Sequence, residues 1–259
     1  MSEGKVTTED HGRVRVLTLD RPAAYNALSI AMIEALDSAL MAALDDDAIG
    51  TIVLRGAGRG FCAGHDLKEM RADGSADTLQ RLFDRCGDVM MRIAECPKPV
   101  IACVHGVATA AGCQLVASCD LAVAAQSARF ATPGVNIGLF CSTPMVALSR
   151  SVPRKHALEM LLLGDMIDAD RALEIGLVNR VLPDGEELPA ALVLAERIAR
   201  HSPLTLRLGK AAFQSQLERP LDDAYQQCAR VMVENMLARD AGEGIDAFLE
   251  GREPEWRNA

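Results

Sequence analysis

The chain has 259 residues, of which 49% are hydrophobic and 24% charged, and its formal net charge at pH 7 is −9. This balance is typical of a globular protein with a sizeable core, and the negative charge argues against a broad surface for nucleic acid. A small anionic ligand stays compatible with these numbers, because it needs only a few local donors.

The amino terminus and the cysteines bear on location. The segment "MSEGKVTTEDHG" (1–12) is acidic and has no apolar stretch, so it predicts neither a signal nor a transit peptide. The longest apolar stretches are interrupted before they could span a bilayer. Eight cysteines without a CxxC pair indicate packed thiols and no metal. We therefore expect a cytoplasmic protein with no membrane partner, no metal and no cofactor.

The first two-thirds of the chain alternates strand and helix patterns. In chain order, the pattern predicts a strand over 14–19, a helix capped by Ser29, a strand over 51–56, a helix over 79–93, and strands over 98–106 and 120–125. Strands separated by helices of this length predict βαβ units and a mainly parallel sheet. The fold class is therefore α/β.

The last third is mostly helical in pattern. It predicts helices over 186–200, 204–217, 221–238 and 240–250, with one strand within "LVNRVLP" (177–183). The 221–238 helix is expected to bury one face, formed by Leu221, Tyr225, Cys228, Met232 and Met236. We divide the chain into a core (1–190) and a helical extension (191–259) that packs on other subunits.

Two glycine-rich loops follow strands and open helices: "GRGFCAGHD" (58–66) and "HGVATAAGC" (105–113). Ligands of α/β folds bind beyond the carboxyl ends of strands, where such loops lie. Two backbone N–H groups converging from two loops would stabilise an oxyanion. Tight packing of helix on sheet is the alternative explanation for either loop alone. Neither loop fits a P-loop or a Rossmann fingerprint.

Together these loops resemble a known family. The segments "RPAAYNALS" (21–29), "GRGFCAGHDLKEM" (58–70), "KPVIACVHGVATAAGCQLVASCDLAVA" (98–124), "FATPGVNIGL" (130–139) and "ALEIGLVNRVLP" (172–183) occur in the order and spacing of the enoyl-CoA hydratase/isomerase, or crotonase, superfamily. The resemblance implies the ClpP/crotonase-like fold of ββα units with a helical C-terminal trimerisation region. It also implies an acyl-CoA as substrate or ligand.

The resemblance assigns site residues one by one. The oxyanion-hole N–H groups fall on His65 and Ala111. The other positions matching the family's contacts to substrate are Ala23, Ala24, Tyr25, Ala63, Gly64, Asp66, Leu67, Lys68, Thr109, Gly112, Pro133 and Gly138. Arg21 or Lys68 would meet CoA phosphates, unless each is a solvated surface charge.

The resemblance also predicts the assembly. The family's terminal pattern is present as Phe248, Arg252, Pro254 and Trp256, and implies a homotrimer or a dimer of trimers.

The family's two catalytic glutamates are both replaced. Gln114 and Gly134 stand at their positions, and neither an amide nor glycine accepts a proton near neutral pH. Two functions follow: an acyl-CoA enzyme of this family that polarises a thioester carbonyl, or a CoA-thioester-binding protein with little or no hydratase turnover. A thioesterase lacks a convincing nucleophile and base.

Other groups near the expected site are weak substitutes for the missing carboxylates. His65 is a candidate for proton transfer, with a packed ring as the alternative. Cys113 and Cys141 are interpreted as packed thiols, and His105 and Asp120 as structural residues. Gly134 is a candidate for a backbone conformation closed to glutamate.

Overall fold

A mixed six-stranded sheet forms the centre of the computed structural model, which describes residues 4–259. Residues 1–3, the start of the predicted core, lie outside the described residues. The strands are β1 (Lys5–His11), β2 (Val14–Asp20), β3 (Thr51–Gly56), β4 (Val100–Val104), β5 (Val107–Thr109), β6 (Leu121–Ala125), β7 (Arg129–Ala131), β8 (Ile167–Asp168) and β9 (Arg180–Leu182). The large sheet has the order β1-β2-β3-β4-β6-β9, and only the β1–β2 pair is antiparallel.

Helices follow most of the strands. They are α1 (Ile30–Leu44), α2 (Leu67–Ala72), α3 (Ala76–Glu95), α4 (Ala111–Ser118), α5 (Pro144–Ser151), α6 (Arg154–Leu163), α7 (Ala169–Glu174), α8 (Glu187–Ala199), α9 (Pro203–Gln216), α10 (Leu221–Leu237) and α11 (Arg239–Glu250). Short 3₁₀ helices span Pro22–Ala24 and Pro133–Ile137. The Ser29 hydroxyl accepts a hydrogen bond from the Met32 N–H at 3.2 Å, so the predicted cap of α1 is confirmed.

The two faces of the large sheet have different covers. Leu17, Leu19 and Leu54 belong to the main core, which α1 and α3 complete on one side. Val16 and Val53 point to the other side, where α8 packs through Ala191 and Ala195. Strands β4 and β6 are apolar on both faces for this reason, as buried parallel strands are.

Residue 190, where the two predicted units divide, lies inside α8. Because α8 closes one face of the sheet, the helices that could form a separate extension begin at α9. The division of the chain into a core and an extension stays a prediction.

A smaller sheet of order β5-β7-β8 lies outside the pattern that the sequence predicts. The strands β5 and β7 are parallel, and β8 joins β7 in antiparallel orientation. Strand β1 was also missed, because its residues are mostly polar and exposed; its seven paired positions with β2 form it.

The predicted buried face of α10 is not buried within the chain. Leu221, Tyr225, Met232 and Met236 are 55–74% exposed, and Ala224 is the buried residue of the helix. The helix packs against α9 and α11, which leave its apolar stripe exposed. Within residues 4–259, no helix combines the length and hydrophobicity needed to cross a membrane.

Candidate functional site

The two glycine-rich loops pack backbone against backbone at the carboxyl ends of β3 and β4. A Cβ added to Gly112 would lie 2.1 Å from the Cys62 carbonyl oxygen, so only glycine fits there. A Cβ at Gly64, whose φ is +93°, would lie 3.3 Å from the Ala111 nitrogen. The Thr109 N–H donates to the Cys62 carbonyl at 2.9 Å, and the Thr109 hydroxyl donates to the Ala63 carbonyl at 3.0 Å. The contact between the loops therefore explains Gly64, Gly112 and Thr109.

Two backbone N–H groups at this contact are free. Among the described residues, neither the His65 nor the Ala111 N–H donates a hydrogen bond within the chain, although one neighbour of each does. Asp66 N–H, next to His65, donates to Leu28 O at 3.2 Å, and Ala110 N–H donates to Ala131 O at 2.9 Å. Ala111 is the first residue of α4. Its N–H therefore has no acceptor within the helix and lies at the amino end, where the helix dipole is positive. Two free donors on adjacent loops can hold one oxyanion.

The residue before Ala111 is strained. Ala110 has φ 50° and ψ −117°, a region that residues with a side chain rarely adopt and that costs about 1–3 kcal/mol. This conformation turns the chain from β5 into α4, and it places the Ala111 N–H at the loop contact.

The His65 imidazole is neutral at pH 7. Its ring meets the edge of Phe83 at a centroid distance of 5.3 Å, and its Nε2 is buried without a partner. Desolvation by burial lowers the pKa of His65 to about 4. A base of this pKa gains few protons near neutrality, so the geometry favours the packed ring over the predicted candidate for proton transfer.

Gln114 is buried one turn into α4. The residue is 4% exposed, and its Oε1 is buried without a partner in the described chain. A helical side chain covers the turn before its own Cα, which here contains Ala111. The Thr132 Oγ1 and His65 Nε2 are also buried and unpaired. Each such atom costs about 1–3 kcal/mol if nothing satisfies it, so a hydrogen bond from a ligand or a water molecule to any of the three would be stabilising.

Gly134 has its Cβ position filled by its own loop. An added Cβ would lie 2.9 Å from the Leu139 carbonyl oxygen and 3.0 Å from the Cys141 sulfur. The Leu139 N–H donates to the Gly134 carbonyl at 2.9 Å, which closes this turn. The prediction that the backbone conformation of Gly134 excludes glutamate is wrong, since the φ of Gly134 is outside the left-handed region. Steric crowding is the obstacle instead.

Pro133 and Gly138 shape the same turn. Pro133 begins its 3₁₀ helix, and Gly138 ends it with φ +76°. Burial raises the pKa of the Cys141 thiol, and that of Cys113 to about 12. Thiols held protonated are poor nucleophiles, which supports their interpretation as packed residues.

The turn at 23–25 lies beside the first loop. Tyr25 has φ 48°, and its carbonyl accepts a hydrogen bond from the Ala63 N–H at 3.0 Å. The exposed Arg59 places its guanidinium 5.1 Å from the centre of the Tyr25 ring. Sequence reasoning missed Arg59, although its place in "GRGF" two residues before Phe61 marks it as part of the loop.

The two cations near this loop differ in their partners: Arg21 is paired within the chain, and Lys68 is exposed. The Arg21 guanidinium donates to Asp66 at 2.7 Å, and the Asp66 carboxylate also accepts the Lys68 N–H at 3.0 Å at the start of α2. Arg21 is therefore neutralised within the chain, which argues against the predicted contact with CoA phosphates. Lys68 and Leu67 are exposed beside it.

His105 and Asp120 have structural partners. His105 Nε2 lies 2.9 Å from the Gly58 carbonyl oxygen. Asp120 accepts hydrogen bonds from the Lys210 ammonium at 2.6 Å and from the Val100 N–H at 2.7 Å. This pair ties α9 to the sheet. In the part of the chain from residue 4 onward, no three His, Cys, Asp or Glu side chains group as metal ligands do.

The fold and this site define an α/β protein that presents two free amides beyond the carboxyl ends of parallel strands. The chain belongs to the enoyl-CoA hydratase/isomerase family, whose model matches residues 9–259, and the predicted crotonase fold is confirmed by solved structures. The crystal structure of an enoyl-CoA hydratase from Mycobacterium smegmatis is 49% identical with a TM-score of 0.94, covering 97% of this chain and 98% of that one. That of human enoyl-CoA hydratase domain-containing protein 3 is 46% identical with a TM-score of 0.94, covering 97% and 99%. The zebrafish (Danio rerio) protein named enoyl-CoA hydratase domain-containing protein 3, mitochondrial, is 44% identical, over 99% of this chain and 89% of its own.

The predicted cytoplasmic location is wrong by this comparison, because the zebrafish, rat and human relatives are named as mitochondrial proteins. Unpaired cysteines indicate only that the surroundings are reducing. Composition does not distinguish one reducing compartment from another, and for this reason the inference failed.

Proposed function

We propose that this chain binds an acyl-CoA and holds its thioester oxygen between the N–H groups of His65 and Ala111. The observation that carries the proposal is that these two N–H groups have no acceptor in the described chain, while the loops that carry them are in backbone contact. Donors fixed in place stabilise charge on a carbonyl oxygen without reorganising. No cofactor takes part in this function.

The CoA portion would lie along the turn at Ala23–Tyr25 and the first loop. Arg59 and Lys68 are the exposed cations at this edge, and Arg59 is held over the Tyr25 ring. Cations placed here suit the phosphates of CoA, and an aromatic ring suits its adenine.

The chain would hydrate an enoyl-CoA much more slowly than a family member with both glutamates. A positioned acid or base contributes roughly 10²–10⁴-fold, and neither Gln114 nor Gly134 supplies one. The polarised thioester remains, so the function is that of a CoA-thioester-binding protein with little hydratase turnover. Efficient turnover of another acyl-CoA is the alternative, favoured by family membership.

A homotrimer or a dimer of trimers would cover the apolar surface of the last helices. Leu237, Phe248 and Leu249 are 76–85% exposed, an unusual cost for a monomer. Two residues of the predicted terminal pattern have partners within the chain. The Trp256 indole donates to the Arg200 carbonyl at 2.6 Å, and Arg252 donates to the Glu243 carboxylate at 2.6 Å. Phe248 is therefore the residue of this pattern that would contact a neighbouring subunit. Sedimentation at micromolar concentration tests this: a trimer or hexamer is expected, and a monomer would contradict it.

The test of thioester binding compares two ligands that differ only at the carbonyl. Butyryl-CoA has the thioester oxygen, and the thioether S-butyl-CoA lacks it. We expect calorimetry to give tighter binding of butyryl-CoA, by about tenfold if the two amides together add one to two kcal/mol. We call this ratio of dissociation constants the carbonyl ratio.

Ala111→Pro removes one of the two donors and should lower the carbonyl ratio from about tenfold to about threefold, because the His65 N–H still binds the carbonyl oxygen. Proline is tolerated at the first position of a helix, and the matched control is Ala76→Pro at the first position of α3, which should leave the ratio unchanged. Equal binding of the two ligands by the unaltered protein would refute the oxyanion-hole assignment. Absence of any binding of CoA compounds would refute the proposed function altogether.

A further inference from the structure

Asn26 is a fully buried hub between the two segments that would bind CoA and its thioester. The residue is 0% exposed. Its Nδ2 donates to the carbonyl oxygens of Ala57 at 2.9 Å, Gly60 at 2.8 Å and Phe61 at 3.1 Å. Its Oδ1 accepts the Arg21 N–H at 2.9 Å. One amide thus joins the start of the 21–25 turn to the bend at 57–61, where the first glycine-rich loop begins.

The backbone on either side of Asn26 continues this connection toward His65. The Cys62 thiol donates to the Asn26 carbonyl at 3.3 Å, and the Ala63 N–H donates to the Tyr25 carbonyl at 3.0 Å. The Leu28 N–H then donates to the Gly64 carbonyl at 2.7 Å. Residues 25–28 therefore pair with residues 62–66 bond by bond, and His65 is the residue whose N–H the pairing leaves free.

The backbone of Asn26 is adapted to this role. Its φ is 55°, in the left-handed region that asparagine tolerates better than most residues. A Cβ at Gly56 would lie 2.7 Å from the Asn26 Nδ2, so the neighbouring strand end leaves room for this amide. Buried amides with four partners specify a single arrangement of the chain around them.

We infer that Asn26 is a positioning residue for the thioester-binding site: its side chain sets the place of the bend at 57–61 and, through the paired backbone, the direction of the His65 N–H. This inference rests on the proposed function. It adds that the CoA-binding turn and the His65 amide form one unit, so a change at position 26 alters thioester binding at a distance from any ligand.

The test measures the carbonyl ratio in two variants of the full chain, well below their unfolding temperatures. Asn26→Gly keeps the left-handed backbone and removes all four side-chain hydrogen bonds. We expect the carbonyl ratio to fall from about tenfold to below threefold, since a displaced donor contributes little. The matched control is Asn179→Gly, which removes a side-chain hydrogen bond with the Ala122 N–H near the amino end of β6, away from the two loops, and should leave the ratio unchanged.

Asn26→Asp adds a signature in pH. A buried carboxylate facing three carbonyl oxygens favours its protonated form, which can donate one hydrogen bond, so the ratio should rise as the pH falls from 8 to 6. The Cys62 thiol beside position 26 stays protonated in this range, because burial raises its pKa to about 12. The Arg21 guanidinium is held by the Asp66 carboxylate. The unaltered protein should show no such rise, because His65 is already neutral at pH 6.

The outcomes separate this inference from the proposed function. A carbonyl ratio in folded Asn26→Gly equal to that of the unaltered protein would overturn the inference and make Asn26 merely structural. So would Asn26 variants that do not fold at any temperature, since the residue would then serve folding alone. A ratio of one in the unaltered protein refutes the oxyanion-hole assignment instead.

Discussion

Restoring the two glutamates tests whether this site is a hydratase that lacks only its carboxylates. From the sequence alone, Gln114→Glu with Gly134→Glu would be expected to raise hydration of crotonyl-CoA. The structure changes this expectation. A side chain at 134 must displace the backbone of Leu139 and the Cys141 sulfur, which lie 2.9 and 3.0 Å from its Cβ.

The cost can be estimated from these contacts. Overpacking costs about 1–3 kcal/mol, and losing the hydrogen bond from Leu139 to Gly134 adds about 0.5–1.5 kcal/mol. Gly134→Ala and Gly134→Glu should therefore each lower the free energy of unfolding by roughly 2–4 kcal/mol. Gly87→Ala in α3, where an added Cβ meets nothing within 4 Å, is the matched control and should stabilise by up to about 1 kcal/mol.

Glutamate at 114 adds a cost that depends on pH. Burial without a cation raises its pKa in the folded state above the unfolded value. Both states are protonated at low pH, and stability is lost as the pH rises from the unfolded pKa through the folded one. Each pKa unit of this rise costs about 1.4 kcal/mol.

The assays are urea unfolding at pH 5 and pH 8, and crotonyl-CoA hydration followed by absorbance. We expect Gln114→Glu to fold and gain little activity, because water activation and proton delivery act as a unit. The double variant should be strongly destabilised and no faster. A double variant as stable as the unaltered protein, with hydration raised about 10²-fold or more, would refute the reasoning.

Three further predictions concern the strained residue, the buried histidine and the buried ion pair. Ala110→Gly should stabilise by about 0.5–2 kcal/mol in urea unfolding, because it relieves the positive φ, whereas Ala117→Gly within α4 should destabilise by about 0.5–1 kcal/mol; the opposite signs would contradict the strain. The unfolded chain protonates His65 near pH 6.5, and the folded chain does so only near pH 4. The free energy of unfolding should therefore fall as the pH drops between these values, and it should fall less steeply in His65→Gln. Identical slopes for the two proteins would contradict a desolvated imidazole. Lys210→Met leaves Asp120 buried without its partner and should cost about 3–5 kcal/mol, part of which Asp120→Asn in the same chain restores; additive losses would show that the two are not coupled.

Much of the fold was predictable because apolar periodicity follows burial. Strand β3 begins and ends at the predicted residues, and the cap of α1 falls on Ser29. The same logic failed for β1, which is polar and held by its pairing with β2. It failed again for α10, whose apolar stripe at Tyr225 and Met232 faces outward. An apolar stripe predicts a buried surface, but it does not distinguish burial within the chain from burial against another subunit.

The site was predictable to the extent that it is made of backbone. Gly64 and Gly112 are required because the two loops approach each other closely, and glycine-rich loops can be recognised in the sequence. The filling of the space at Gly134 by Cys141, and the reach of Asn26 to three carbonyls, depend on how distant segments fold together. Asn26 stands in a recognisable motif, but its type alone does not distinguish a turn former from a buried hub.

A thioester bound in this site should be polarised and should persist. Difference infrared spectroscopy of crotonyl-CoA labelled with ¹³C at its carbonyl, bound to excess protein, measures both properties. We expect a carbonyl band at lower frequency than that of free crotonyl-CoA, stable over the measurement, and a smaller shift in Ala111→Pro, where only the His65 N–H remains. An unshifted band in the bound complex, or rapid loss of the enoyl spectrum to a hydrated product, would contradict the claim.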